Sequence, residues 1–301
     1  MTSTAPEVLP DADLTLPAGD ELTVTTDDGA DLAVTVAAPT GAADDHGAES
    51  RPPVVLAHCW TGSRAVWAPV ARRLVADGHP VILYDQRGHG ASGTGRDPFT
   101  VDRLGDDLAA VATAAGIRDA VLAGHSMGGM SVMACACRHP DLLAERVRGL
   151  VLVATAAHGI GVRRIERASE RMLPGDRANR VLARPRLGFA LVRPTFGKAA
   201  DPAHVDATRR LFVATPSGVR MDAGTAMRGM DLRTALGAVD RPATVLLGRR
   251  DRLIRNDLTR EIVARLPGAT LVELAGAGHM LPMERPAAVA TAIAEMAGPG
   301  R

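Results

Sequence analysis

Residues 124–128 of this chain, G-H-S-M-G, restrict its possible folds more than any other segment. The mostly apolar run at 119–123 before them predicts a short buried strand, and the small apolar residues at 129–138 after them predict a helix. In a G-x-S-x-G turn between a strand and a helix, the backbone bends so sharply that the positions two before and two after the serine must lack bulk. The segment therefore predicts a turn that raises the Ser126 hydroxyl above the edge of a sheet.

Strand and helix patterns alternate on both sides of this turn, which is typical of a parallel sheet covered by helices on both faces. Between the two alternating regions lie helix-compatible segments broken by prolines, and a hairpin with an Asp-Gly turn precedes the first region. We therefore predict an α/β fold with a mostly parallel, doubly wound sheet, an N-terminal hairpin and a helical cap insertion. The predicted parts are a flexible leader (1–20), a first core segment (21–156), the cap (157–242) and a second core segment (243–301).

Three residues with complementary chemistry each follow a predicted core strand: Ser126, Asp251 and His279. The carboxyl ends of parallel strands meet at one edge of a sheet, so these side chains are expected to lie close together. A serine hydroxyl becomes a nucleophile when an imidazole accepts its proton, and a carboxylate holds that imidazole in the required tautomer. The pattern predicts Ser126 as nucleophile, His279 as base and Asp251 as the orienting carboxylate.

A nucleophilic serine also needs hydrogen-bond donors for the oxyanion that forms on its substrate. The backbone N–H of Met127 is one candidate because it opens the helix after the turn. The backbone N–H of Trp60 is the other candidate, since the loop H-C-W-T-G-S at 58–63 follows the first core strand. The histidines His58, His89 and His125 are expected to pack these loops.

Two further motifs give the chain a recognisable family likeness. D-Q-R-G-H-G-A-S at 85–92 and G-H-M-L-P-M-E-R-P at 278–286, together with the Ser, Asp, His order, resemble the α/β-hydrolase superfamily over roughly residues 50–156 and 243–297. The elbow is similar to those of esterases, monoacylglycerol lipases and cofactor-free haloperoxidases. The resemblance implies the α/β-hydrolase fold and a serine-dependent reaction. Cys59 departs from the family pattern, which has glycine at that position.

We therefore expect a serine hydrolase that cleaves a carboxylic ester with a small or medium, largely apolar acyl group and needs no cofactor. The same triad would also serve a cofactor-free perhydrolase, a thioesterase, a lactonase or a C–C bond hydrolase. A catalytically silent ligand receptor is the alternative outside enzymes, and the matched triad argues against it because a receptor has no need of one.

The predicted cap has two features of its own. It contains 15 Arg and one Lys against eight Asp and Glu, an excess that either steers anionic ligands or forms a solvated, arginine-rich surface. Its apolar residues are expected to form an inner face that selects the substrate. That set includes the three phenylalanines Phe189, Phe196 and Phe212. The methionines Met221, Met227 and Met230 have helix-like spacing and are expected to face either the core or the acyl pocket.

Composition restricts the remaining possibilities. The three cysteines show no metal-binding spacing and predict no disulfide. The N-terminal residues lack a signal-peptide pattern, and no run approaches the length of a membrane span. The cap has no Tyr or Trp for base stacking, so nucleic acid is not an expected partner. We expect a cytoplasmic protein that acts on a small acyl substrate without a bound metal.

Overall fold

A computed structural model describes residues 13–39, 51–159 and 176–298 of the chain. Parts of the predicted leader (1–12) and cap (160–175) lie outside these residues. The described residues of the leader touch the core, because Leu14 and Leu16 pack against it.

Eight strands form one sheet in the order β1-β2-β4-β3-β5-β6-β7-β8. The first two form an antiparallel hairpin that pairs with β4, and β3 to β8 run parallel to one another. The strands are β1 (Asp20–Thr25), β2 (Asp31–Ala37), β3 (Val54–Ala57), β4 (Val81–Tyr84), β5 (Ala120–His125), β6 (Val147–Val153), β7 (Ala243–Gly248) and β8 (Ala269–Leu274).

The helices lie between and after these strands as the sequence pattern predicts for a doubly wound sheet. In the first core segment they are α1 (Ala68–Ala76), α2 (Val101–Ala114), α3 (Met127–Arg138) and α4 (Pro140–Arg146). Between β6 and β7 they are α5 (Asp176–Leu182), α6 (Pro185–Val192), α7 (Pro202–Ala214) and α8 (Ser217–Gly229). The remaining helices are α9 (Asn256–Arg265), α10 (Leu281–Glu284) and α11 (Pro286–Ala297).

The core consists of two apolar layers, one on each face of the sheet. Successive side chains of a strand point to opposite faces. In β3, Val54 and Leu56 accordingly join the layer with α1 and α11, whereas Val55 and Ala57 join the layer with α2 and α3. All four are completely buried, which explains why this strand is a continuous apolar run.

A third apolar cluster joins the helices after β6 to the carboxyl edge of the sheet. It contains Phe196, with Phe189 and Phe212 partly buried around it. The methionines expected to face inward do so only in part, since Met227 is buried but Met221 is 47% exposed. The prediction was wrong for Met221 because periodicity alone could not fix which side of α8 faces the core.

Candidate active site

The turn between β5 and α3 has the backbone that its glycines predict. Ser126 has φ 55° and ψ −115°, in the left-handed region that side chains other than glycine rarely adopt. A Cβ on Gly124 would overlap the carbonyl oxygen of Gly128, and a Cβ on Gly128 would overlap that of Ala57. Both glycines are therefore required by close backbone contacts, and the strain is concentrated at the serine.

Hydrogen bonds hold this strained residue on both sides. The Ser126 N–H donates to the carbonyl oxygen of Val153 at 2.9 Å, and Thr155 Oγ1 donates to the carbonyl oxygen of Ser126 at 2.7 Å. Met127 is the first residue of α3, and its N–H donates to no group among the described residues. This N–H lies at the positive end of the helix dipole, where a developing negative charge is stabilised.

Asp251 and His279 are joined as the sequence predicts for a carboxylate and a base. Asp251 Oδ2 accepts from His279 Nδ1 at 2.8 Å, and both side chains are less than 5% exposed. Asp251 Oδ1 accepts from the backbone N–H groups of Leu253 and Ile254 at 2.8 and 2.9 Å. With its proton on Nδ1, the imidazole leaves Nε2 as the proton acceptor.

The loop that carries His279 is held from several directions. The carbonyl oxygen of His279 accepts a hydrogen bond from His125 Nε2 at 2.9 Å, which connects the loop to the serine turn. The Glu284 carboxylate accepts from the N–H groups of Gly278 and Met280, the residues on either side of the histidine. Glu284 lies within the G-H-M-L-P-M-E-R-P motif, but its role cannot be predicted from the sequence, because residue spacing does not identify its backbone partners.

The same carboxylate reaches the segment after α6. Glu284 Oε2 accepts from the N–H of Gly197 at 2.7 Å, and the His279 N–H donates to the carbonyl oxygen of Thr195 at 2.8 Å. The helices between β6 and β7 are thus fastened directly to the loop of the candidate base.

The structure brings Ser126 and His279 to the same buried edge, with 6% and 4% of their surfaces exposed. Within the described residues no hydrogen bond joins Ser126 Oγ to His279 Nε2. Catalytic hydrogen bonds are often long in sites without substrate and shorten when the substrate binds. Contact between the two loops is carried instead by the rings of His125 and His279, whose centroids are 5.0 Å apart.

The loop after β3 places Trp60 beside this edge. Its ring packs against Phe212 with centroids 5.8 Å apart, and its Nε1 donates to the carbonyl oxygen of Arg220 at 3.2 Å. Its backbone N–H donates to none of the residues that the structure describes. Cys59 is not among the residues with positive φ, so its backbone conformation is one that a cysteine adopts without strain.

Four other titratable side chains near the site, three histidines and one cysteine, are held in their neutral forms. Burial lowers the pKa of His58 and of His89 to about 4 and lowers that of His125 well below its ordinary value. Burial also raises the pKa of the Cys59 thiol to about 12. A neutral thiol is a weak nucleophile, so Cys59 is a packing residue.

Over the described parts of the chain, no cluster of three or more His, Cys, Asp or Glu side chains has the arrangement of a metal site. None of the helices in those parts combines the length and the apolar character that crossing a bilayer requires.

Comparisons with known proteins agree with this architecture. A family model described as the alpha/beta hydrolase fold matches residues 52–286. The AB hydrolase superfamily protein YisY of Bacillus subtilis is 27% identical over 75% of this chain and 84% of its own length. The pimeloyl-[acyl-carrier protein] methyl ester esterase of Stenotrophomonas maltophilia is 29% identical over 76% of this chain and 86% of its own. The crystal structure of the enol-lactonase from Burkholderia xenovorans has a TM-score of 0.75 and 25% identity, with 91% of this chain and 99% of that chain covered.

Proposed function

The chain belongs to the α/β-hydrolase family, and on that premise we propose that it is a serine hydrolase that cleaves a carboxylic ester with a small or medium apolar acyl group. The observation that supports this most strongly is the buried Asp251–His279 pair at 2.8 Å, anchored to the turn that holds Ser126. A similar relative, the pimeloyl-[acyl-carrier protein] methyl ester esterase, is named for cleavage of a carboxylic ester.

The first half of the proposed reaction forms an acyl-enzyme. His279 Nε2 accepts the proton of Ser126 Oγ as Oγ attacks the carbon of the ester carbonyl. The π electrons of that carbonyl move onto the carbonyl oxygen, which becomes the oxyanion. Asp251 stabilises the imidazolium that results. When the tetrahedral intermediate collapses, the C–O bond to the alcohol breaks and the imidazolium gives its proton to the departing oxygen.

The proposed oxyanion donors are the backbone N–H groups of Met127 and Trp60. Neither is used in another hydrogen bond among the described residues, so each is available to the negative oxygen. Removing one donor of this type costs a serine hydrolase about 100- to 1,000-fold in kcat.

The second half of the reaction returns the enzyme to its starting state. A water molecule loses a proton to His279 Nε2 and attacks the acyl carbonyl. The bond to Ser126 Oγ then breaks, and the proton returns from the imidazolium to that oxygen. The products are a carboxylic acid and an alcohol, and no cofactor takes part.

The preference for an apolar acyl group rests on the third apolar cluster. It brings Phe196 and Val192 of the cap together with Cys59, which precedes Trp60, and with Met280, which follows His279. An acyl chain that leaves the serine toward the cap would meet aliphatic and aromatic carbon, and burial of each methylene contributes about 0.8 kcal/mol.

A lactonase is the second candidate, favoured by the likeness to the enol-lactonase structure. A lactone is a cyclic ester, so attack and oxyanion formation are the same, and the leaving alcohol stays attached to the acyl group. The reaction steps proposed above therefore apply to both substrates.

A panel of 4-nitrophenyl esters of increasing acyl length, assayed beside aliphatic lactones, tests the proposal. We expect turnover of short and medium esters by the native protein and none by Ser126→Ala. Equal turnover by the two proteins would place the nucleophile elsewhere. A preference for lactones over every open-chain ester would favour the second candidate.

A further inference from the structure

A buried amide, Gln86, lies between the two loops that carry the proposed oxyanion donors, and no step described above uses it. Strands β4, β3 and β5 are neighbours in the sheet, so the residues after them lie side by side at its carboxyl edge. Gln86 follows β4, His58 follows β3, and Ser131 lies in the second turn of α3 after β5. All three residues are completely buried.

The Gln86 side chain bonds to both neighbours. Its Nε2 donates to the carbonyl oxygen of His58, and its Oε1 accepts from Ser131 Oγ at 2.6 Å. Ser131 Oγ also lies 3.0 Å from the carbonyl oxygen of Met127. Gln86 thereby fixes the end of β3 relative to the first turn of α3.

His58 extends this connection to the peptide that carries the Trp60 N–H. The Gln86 backbone N–H donates to His58 Nε2 at 2.9 Å, so the proton of the neutral ring is on Nδ1. Nδ1 donates to the carbonyl oxygen of Cys59 at 2.8 Å. In a trans peptide the carbonyl and the N–H point in opposite directions. A fixed Cys59 carbonyl therefore fixes the direction of the Trp60 N–H.

We propose that Gln86 is a positioning residue that sets the Met127 and Trp60 N–H groups relative to each other, and so determines how well the site stabilises an oxyanion. This inference rests on the proposed function. Donors of this kind act on the tetrahedral oxygen more than on the ground-state ester. Loss of their alignment should therefore lower kcat and leave KM nearly unchanged.

The test replaces Gln86 with methionine, which fills a similar volume and forms neither side-chain bond. The substrate is 4-nitrophenyl butyrate, and the probe is an alkyl trifluoromethyl ketone, which forms a tetrahedral adduct with the nucleophile. We expect kcat to fall roughly 10- to 100-fold, with KM changed less than about threefold and ketone affinity reduced by the same factor as kcat.

A matched control removes a different buried hydrogen bond. His79 is completely buried, and its Nδ1 bonds to the carbonyl oxygen of Pro52 at 2.9 Å, at the opposite edge of the sheet. His79→Leu should lower the melting temperature while kcat and ketone affinity stay at native values. Equal losses of kcat in the two variants would overturn the proposal, since general destabilisation would then explain both.

The remaining outcomes separate this inference from the proposed function. Native kcat and ketone affinity in Gln86→Met would overturn the positioning role alone. If that variant does not fold, Ser131→Ala decides, because it removes the bond from Gln86 to α3 and leaves the bond from Gln86 to His58 in place. A severalfold lower kcat supports the proposal, and a native kcat overturns it. A native protein that turns over neither esters nor lactones would overturn both claims.

Discussion

His125 Nε2 donates a hydrogen bond to the carbonyl oxygen of His279 at 2.9 Å, across 154 positions of the chain. The residue before the proposed nucleophile thus supports the residue proposed as its base. Burial lowers the pKa of His125 well below its ordinary value, so its ring stays neutral. With Nε2 as donor to a carbonyl oxygen, the proton of the neutral ring lies on that nitrogen.

His125→Phe should show what this bond contributes to activity. Phenylalanine keeps the ring volume and donates no hydrogen bond, so the His279 loop loses one anchor worth about 1 kcal/mol. We expect kcat to fall about 5- to 10-fold with KM little changed. His139→Phe is the control, because His139 bonds to Asp106 at the far end of α3 and its loss should leave kcat unchanged. An unchanged kcat in His125→Phe would show that the bond does not position the base.

Gly128→Ala should prevent the serine turn from forming. The added Cβ would overlap the carbonyl oxygen of Ala57, which belongs to the backbone of β3 and cannot rotate away. We expect a loss of about 3 kcal/mol in the free energy of unfolding, measured by urea denaturation, and loss of turnover. Gly218→Ala in α8 meets nothing within 4 Å and should leave stability equal or slightly higher. Similar effects of the two substitutions would contradict the packing argument.

Arg87→Met should be strongly destabilising although it lies outside the site. Arg87 is 1% exposed and bonds to Asp28 of the hairpin at 2.9 Å and to Asp107 of α2 at 2.6 Å. Its removal leaves two buried carboxylates without a counter-ion, a loss of about 3–5 kcal/mol. Arg255→Met is the control, since its ion pair with Asp257 is exposed and its loss should not move the melting temperature. A small shift for Arg87→Met would mean that the network contributes little.

The buried histidines should make stability fall on mild acidification. Burial lowers the pKa of His58 and of His89 to about 4, whereas an unfolded histidine titrates near 6.5. Between these values the unfolded chain binds more protons, so the free energy of unfolding falls as pH drops, by up to about 1.4 kcal/mol per pH unit for each group. Above about pH 6.5 the contribution is complete.

Urea denaturation at pH 7, 6 and 5 measures this effect. The midpoint should fall from pH 7 to pH 5, and His89→Gln should flatten the dependence because one titrating group is removed. A midpoint at pH 5 equal to or above that at pH 7 would contradict neutral, buried rings.

Local patterns predicted most of the core. The α/β-hydrolase fold is confirmed, and the elements that flank Ser126 lie where periodicity and glycines indicate. These features could be predicted from the sequence because they depend on residues that are close together in the chain. The pairing of Asp251 with His279 was expected from strand ends alone, and their catalytic roles stay a prediction.

Contacts between segments that are distant in the chain could not be predicted from the sequence. The order of β4, β3 and β5 in the sheet brings Gln86 beside His58, and this contact is seen in the structure but cannot be predicted from the sequence. The partnership of Arg87 with Asp28 depends on where the hairpin packs. The exposed Met221 reflects the rotation of α8, which a pattern of three methionines does not determine.

Labelling with a fluorophosphonate probe tests the central claim most directly. Such probes react with a serine hydroxyl whose proton is taken by a neighbouring base, so the native, folded protein should gain one adduct, mapped to Ser126 by mass spectrometry. Ser126→Ala should gain none, and His279→Ala should react far more slowly. A native protein that stays unlabelled, or an adduct mapped to another residue, would contradict the account.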